Sequence, residues 1–408
     1  MPRTLRLTLL ASATLSGLTL AGGREFVLSD TVAGTRLENW SMQSQELDVA
    51  AAAPFSIEKR VLHGGRQEGV EVIEVNNGRL RFTVVLIRGM SIHRVVAGDI
   101  TLGWNSPVKE IVNPAYINLE SRGGLGWLDG FNEFLVRCGI EWAGHPGMDE
   151  GKLLTLHGRA GNIPASKVVV VVDDAPPHRI RVRGLVVEQT FKFSDLELWT
   201  EVSTEPGSSN LRVSDIITNC SDYEREFQII YHGNLGPPLL EEGSRFSGAV
   251  KQVAPFDDNA AEDLEIWAEY LGPTRYYGEQ VYLLENHAEK NGFTIVMLEN
   301  EAGDRGVRIR YNVSELPYFT LWKNTDTLKE GYVTGLEPGT GFPYTRAIER
   351  KSGRVPTLRP GESRSFQLDY TILTGPDEIA AVATEIAAIQ DSRPTRVISE
   401  PPVANIAP

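Results

Sequence analysis

Strict alternation of apolar and charged residues constrains this chain more than any other feature. "RIRVRG" sets Ile180 and Val182 between Arg179, Arg181 and Arg183. "VRIRYNV" sets Val307, Ile309, Tyr311 and Val313 between Arg308, Arg310 and Asn312. A period of two puts one side-chain set on a core and the other in water, the signature of half-buried antiparallel strands. "KVVVVVD", Lys167–Asp173, is instead a continuous β-branched run, which suits a strand covered on both faces. Turn clusters such as "EPGSSN", "NEAGDRG" and "RPGES" punctuate the runs, and the chain holds 39 Gly and 23 Pro. This pattern persists from about Phe55 to Leu373. The expected fold class is therefore all-β, a large sandwich of antiparallel sheets in one domain. Residues before Phe55 show little pattern, and "DVAAAAP" reads as a loop or a short helical turn.

One helix is expected, over "GPDEIAAVATEIAAIQ", Gly375 to Gln390. Ile379, Val382, Ile386 and Ile389 fall at helical spacing behind Pro376 and two acids. It reads as a helix packed on the sheet, and the Pro-rich tail after Asp391 as loosely ordered. At the other end, Arg3 and Arg6 precede the uncharged, small-residue stretch Leu7–Gly23. It is too weakly apolar for a membrane span and reads as an export signal. The alternative is an extension on a cytoplasmic protein. The domain plan is thus a signal over 1–23, a β domain over 24–375, and a helix with its tail over 376–408.

A net charge of −14 argues against a nucleic-acid partner, which calls for a basic face. Cys138 and Cys220, the two cysteines, show no zinc spacing and predict no disulfide. The chain contains no nucleophile elbow, P-loop, dinucleotide fingerprint or zinc-protease motif. What remains are three sparse polar segments. "LHGRAGNIPA" carries His157 and Arg159; were it a strand, both would share a face and one cleft. "YHGNLGPPLL" places His232 at a strand end, where β scaffolds carry function. "YVTGLEPGTGFP" places Glu337 between Leu336 and Pro338, in extended geometry and an apolar context that shifts a carboxyl pKa. Taken singly, each reads equally as a packed histidine, a turn or a surface loop. Trp104, Trp127, Phe131, Trp142 and Trp322 lie near these segments and suit either sugar faces or core packing.

Together and in this order, "HGRAGNIPA", "YHGNLG" and "GLEPGT" resemble the aldose 1-epimerase, or galactose mutarotase-like, superfamily, and "IRGMSI" (Ile87–Ile92) and "FLVRCGIEWAG" (Phe134–Gly144) add to the likeness. The likeness spans Glu58 to Thr374. It implies a large antiparallel β-supersandwich with few short helices and a cleft on one concave sheet face. It also implies a small carbohydrate substrate and acid–base chemistry without a cofactor or metal. By the resemblance His232 matches the general acid and Glu337 the general base, while His157 binds sugar hydroxyls and Arg159 contacts substrate. The superfamily's sugar-gripping aspartate has no clear counterpart, and Glu279 in "YYGEQVYLL" is the nearest. Trp322 and Arg88 complete the expected binding set. The residue before "RGM" departs from the pattern, being Ile87 where an aspartate is usual. Two other readings stand beside anomer interconversion. One is a lyase or glycoside-cleaving enzyme, with Arg88 and Arg159 neutralising a uronate; the other is a non-catalytic sugar-binding protein. His232 and Glu337 are expected as imidazolium and carboxylate, each stabilising the other's charge.

Overall fold

The structure, a computed structural model, describes residues 22–403. The stretch read as an export signal lies outside the described residues up to Ala21. Gly23 already opens the first strand, Gly23–Asp30.

Two large sheets face each other. The ten-stranded sheet runs, edge to edge, through strands 245–248, 293–299, 305–312, 363–374, 210–219, 195–204, 180–189, 167–173, 23–30 and 35–36. The thirteen-stranded sheet has at its centre the neighbours 318–324, 333–339, 228–235, 135–140 and 91–97. Among the described residues every ladder is antiparallel except that of Arg396–Val397, which runs parallel to Val250–Pro255. This is the all-β supersandwich that the alternation predicts. Ile180 and Val182 are fully buried, as are Ile217, Ile73, Val84 and Ile92, and together they fill the space between the sheets. Burial of each such side chain is worth about 1.5–3 kcal/mol. All five valines of Lys167–Asp173 are buried, as a strand covered on both faces requires.

Two expectations need adjustment. The unpatterned N-terminal region forms strands after all: Gly23–Asp30 pairs with Lys167–Asp173, and Trp40–Gln43 with Ser56–Leu62. Trp40–Gln43 is an edge strand, and Gly23–Asp30 is covered on its outer side only by the two-residue strand Thr35–Arg36, so solvent on several sides erases the alternation. The tail after Asp391 is tied down by its short parallel strand. Ile398 N donates to Val253 O, and Thr395 Oγ1 to Val250 O. The helix Pro376–Gln390 lays Ile379, Val382, Ile386 and Ile389 onto Ile295, Met297 and Leu373 of the ten-stranded sheet. No helix among the described residues is long and apolar enough to cross a membrane.

Candidate active site

The site is built on the central strands of the larger sheet. Gln228–Leu235 lies between Leu135–Ile140 and Val333–Gly339. Its register with the latter pairs Ile230 with Gly339 and Gly233 with Leu336. Counting inward from either pair sets His232 opposite Glu337. The ladder is interrupted there, because Pro338 has no N–H to donate. Side chains alternate along each strand. Tyr231 and Arg137 face the ten-stranded sheet, where both reach Asp215. His232, Glu337, Val136 and Cys138 therefore face away from it, beneath the loops that carry Trp127, Phe131 and His157.

His232 Nε2 lies 3.2 Å from Glu337 Oε1, with the two side chains 6% and 2% exposed. The two are close but not aligned as a hydrogen bond, and Glu337 Oε1 has no hydrogen-bond partner. His232 Nδ1 and His157 Nδ1 are likewise buried without partners. Aromatic rings enclose the pair. Phe131 lies 5.3 Å from the His232 ring, Trp322 5.5 Å and Trp127 6.0 Å, centroid to centroid. His157 stands edge-on to His232 at 5.2 Å and to Trp127 at 4.8 Å. Trp322 Nε1 donates to Glu279 Oε2 at 2.8 Å, which brings that carboxylate to the cleft. Gly335 makes room for this cluster, since a Cβ there would lie 2.2 Å from Glu337 Oε1 and 3.1 Å from the Trp322 ring.

Burial opposes the expected charges. It pulls the His232 imidazole down to about 3, with only the neighbouring Asn234 amide opposing. It pushes the Glu337 carboxyl well above the usual range, and the nearby Glu279 charge pushes the same way. His157 is held well below its ordinary value by burial and by its two neighbouring imidazoles, His232 and His145. Burial therefore works against the expected imidazolium–carboxylate pair and favours a neutral imidazole beside a carboxylic acid. In so dry a place, mutual attraction does not repay the loss of water around two charges.

Arg159 and Arg88 are not cleft residues. "LHGRAGNIPA" is no strand: His157 has φ 58° and Gly158 φ 72°, and Ala160–Asn162 forms a 3-10 turn. Gly158 is required here, because a Cβ would lie 2.2 Å from Trp142 O. The positive φ values turn the two side chains apart. Arg159 donates to Glu188 Oε1 and Glu141 Oε2, both at 2.9 Å, and stacks on Trp142. It ties the turn to the opposite sheet, and so fixes His157. Arg88 is fully buried. It donates to Glu133 Oε1 at 2.7 Å, to Asn162 Oδ1 at 3.1 Å and to the carbonyls of Val112 and Gly130. The "RGM" and "HGR-x-x-N" segments are thus bonded to each other. Gly89 N donates to Ile163 O, and a Cβ on Gly89 would lie 2.2 Å from Ala160 O. The sequence alone does not pair these arginines, since Glu133, Glu141 and Glu188 lie 18 to 45 residues away from them. His145, in "AGHPG", escaped the sequence reading because no flanking pattern singles it out.

Residues 67–372 match the model of a family described as a domain of unknown function, DUF4432. The chain belongs to the DUF4432 family. It is 46% identical to a protein from Klebsiella pneumoniae described as a "putative aldose 1-epimerase", with TM-score 0.92 over 94% of this chain and 100% of that one. The same fold, at 13% identity and TM-score 0.52, occurs in a galactose mutarotase-like protein from Clostridium acetobutylicum, over 78% of this chain and 98% of that one. It also occurs in a galactose 1-epimerase from Lactobacillus acidophilus, at 11% identity and TM-score 0.52, over 78% and 99%. The chain is a member of the galactose mutarotase-like superfamily. No curated protein matches it.

Proposed function

We propose that this protein interconverts the anomers of a free sugar, with His232 and Glu337 as the acid–base pair. One observation carries the proposal: two titratable side chains 3.2 Å apart, lacking aligned partners and enclosed by the rings of Trp127, Phe131 and Trp322. Aromatic faces suit the C–H surface of a sugar ring, and His157, Glu279 and Trp322 supply polar contacts around it. Ring opening needs one proton removed from the anomeric hydroxyl and one added to the ring oxygen. The C1–ring oxygen bond breaks, the aldehyde turns about C1–C2, and the reverse transfers close the ring on the other face. Imidazolium with carboxylate, and imidazole with carboxylic acid, hold the same single proton. Either arrangement therefore offers one donor and one acceptor, and the pair regains its starting state once the ring has opened and reclosed. In the assignment implied by the resemblance, His232 serves the ring oxygen and Glu337 the anomeric hydroxyl. Hydrogen bonds from the bound sugar replace the missing water and favour that charged form.

The enclosed charges favour a neutral sugar over the lyase reading. A uronate-cleaving enzyme calls for a cation free to neutralise the substrate carboxylate. Arg88 and Arg159, the candidates for that task, are each already neutralised by glutamates. Real-time NMR of a freshly dissolved α-anomer is the direct test. Equilibration no faster than the spontaneous rate across neutral aldoses would remove the proposal.

The pH profile follows from the same pair. Activity needs the one-proton state. A second proton requires His232 to charge, which burial delays to about 3. Loss of the proton requires Glu337 to ionise, which burial delays to well above 4.5. A solvated pair would instead leave the one-proton state as pH rises through about 6.5. The kcat/KM profile, which reports the free enzyme, is expected to run flat through pH 6.5. An inflection there would show that the pair is solvated and charged.

The reading includes export, with the Leu7–Gly23 stretch as its signal. The expected result is a secreted or periplasmic chain lacking that stretch by intact mass. Full-length protein in the cytoplasm would contradict it.

A further inference from the structure

We infer that His145 is a third imidazole of the cleft, which grips a sugar hydroxyl remote from the anomeric carbon and so selects among sugars. This rests on the proposal that this site binds a sugar.

The seat of His145 is built. Its backbone N donates to Pro343 O at 2.9 Å, on the chain that leaves the Glu337 strand. The preceding residue, Gly144, has φ 85° and accepts a hydrogen bond from His157 N at 2.8 Å. A Cβ on Gly144 would lie 2.3 Å from Tyr344 O, so the loop presses directly on that segment. One backbone anchor therefore places His145 and His157 together. The His145 ring packs on Phe256 at 5.1 Å, and Phe256 stacks on Tyr344 at 4.4 Å. Ring position is thus fixed by packing, while among the described residues no side-chain hydrogen bond engages its nitrogens.

Its place along the cleft follows from its neighbours. The backbone of Gly144 is bonded to that of His157, and the His145 ring packs on Phe256. Trp322, which holds Glu279, packs against the same Phe256 cluster. His145 thus lies beside His157 on the Phe256 side, whereas His232 is enclosed by Trp127, Phe131 and Trp322. A half-buried imidazole with burial favouring its neutral form offers one N–H and one lone pair. Adjacent sugar hydroxyls offer the complementary acceptor and donor.

The test pairs protein and ligand deletions. Wild type, His145→Gln and His145→Ala are compared on D-glucose, D-galactose and the 2-, 3-, 4- and 6-deoxy-D-glucoses. Anomer equilibration is followed by NMR, and binding is followed by calorimetry on a Glu337→Gln background. In wild type, one deoxy sugar is expected to lose about 10- to 100-fold in affinity or kcat/KM relative to its parent. His145→Ala should lose that factor on the parent sugar and be indifferent to the same deletion. His145→Gln, which keeps a donor and an acceptor, should melt with wild type and recover part of the loss. If His145→Ala responds to every deletion by the wild-type factors, or if no sugar of the panel binds wild type, the inference is overturned. Sugars that bind with the expected His145 dependence, yet equilibrate equally fast with Glu337→Gln, would overturn only the anomer-exchange reading.

Discussion

Glu337→Gln is expected to lower kcat for anomer exchange by about 10²–10⁴-fold, the span typical of one positioned acid–base group. The amide keeps the shape of the carboxyl and its neutral charge, but it cannot take up or release a proton. Burial favours the protonated form of the Glu337 carboxyl. The amide imitates that form, and Gly335 leaves the space it needs. No loss of thermal stability is expected, since the substitution removes an ionisable group from an almost sealed site. His232→Gln should have an effect of similar size. The double variant should be little slower than either single one, because two halves of one proton relay fail together. Real-time NMR for rate and a melting curve for stability suffice. Activity within a few-fold of wild type would show that the pair does not move the protons.

Arg137→Ala is expected to destabilise the fold by about 3–5 kcal/mol, a large share of the 5–15 kcal/mol that holds a typical domain. The Arg137 side chain is fully buried between the sheets. Its Nε and Nη2 donate to the two Asp215 oxygens at 2.5 and 3.1 Å, Nη2 to Thr200 Oγ1 at 2.5 Å and Nη1 to Met90 O at 3.0 Å. Tyr231 OH donates to the same Asp215 at 2.9 Å. Burial works against the guanidinium charge, and Asp215, by charge and hydrogen bond, more than offsets it. Truncation strands Asp215 as an unpaired charge in a dry interior, which costs more than the pair was worth. Arg137→Met combined with Asp215→Leu should therefore recover most of the loss in a denaturant titration. A single-variant loss below about 1 kcal/mol would mean that water reaches this layer. The expected damage extends to the site, because Tyr231 precedes His232 and Arg137 lies between Val136 and Cys138 beneath it.

The residues that approach one another were legible for simple reasons. Alternation such as Ile180 and Val182 between arginines allows a half-buried strand and little else, so the sheets could be read directly. His232 and Glu337 stood out because each lies in a Gly/Pro-marked segment, in the order that the superfamily resemblance shares. Trp322 and Glu279 also reach the cleft, joined by one hydrogen bond. Arg88 and Arg159 were misplaced for an equally physical reason. An arginine in a motif looks like a ligand contact until its counter-charges are known, and Glu133, Glu141 and Glu188 are brought to it only by the fold. His145 went unseen because a lone histidine before a proline carries no periodic signal.

By itself, then, the sequence determined the sheets, the C-terminal helix and the short list of titratable residues. Periodicity and backbone chemistry act over a few residues and can be read over a few residues. Tertiary structure alone decided the register that sets His232 against Glu337, the partners that occupy both arginines, and the sign of the proton shifts. Those depend on which distant strands become neighbours and on how completely water is excluded between them. Burial, more than mutual charge, therefore sets where the pair's single proton rests.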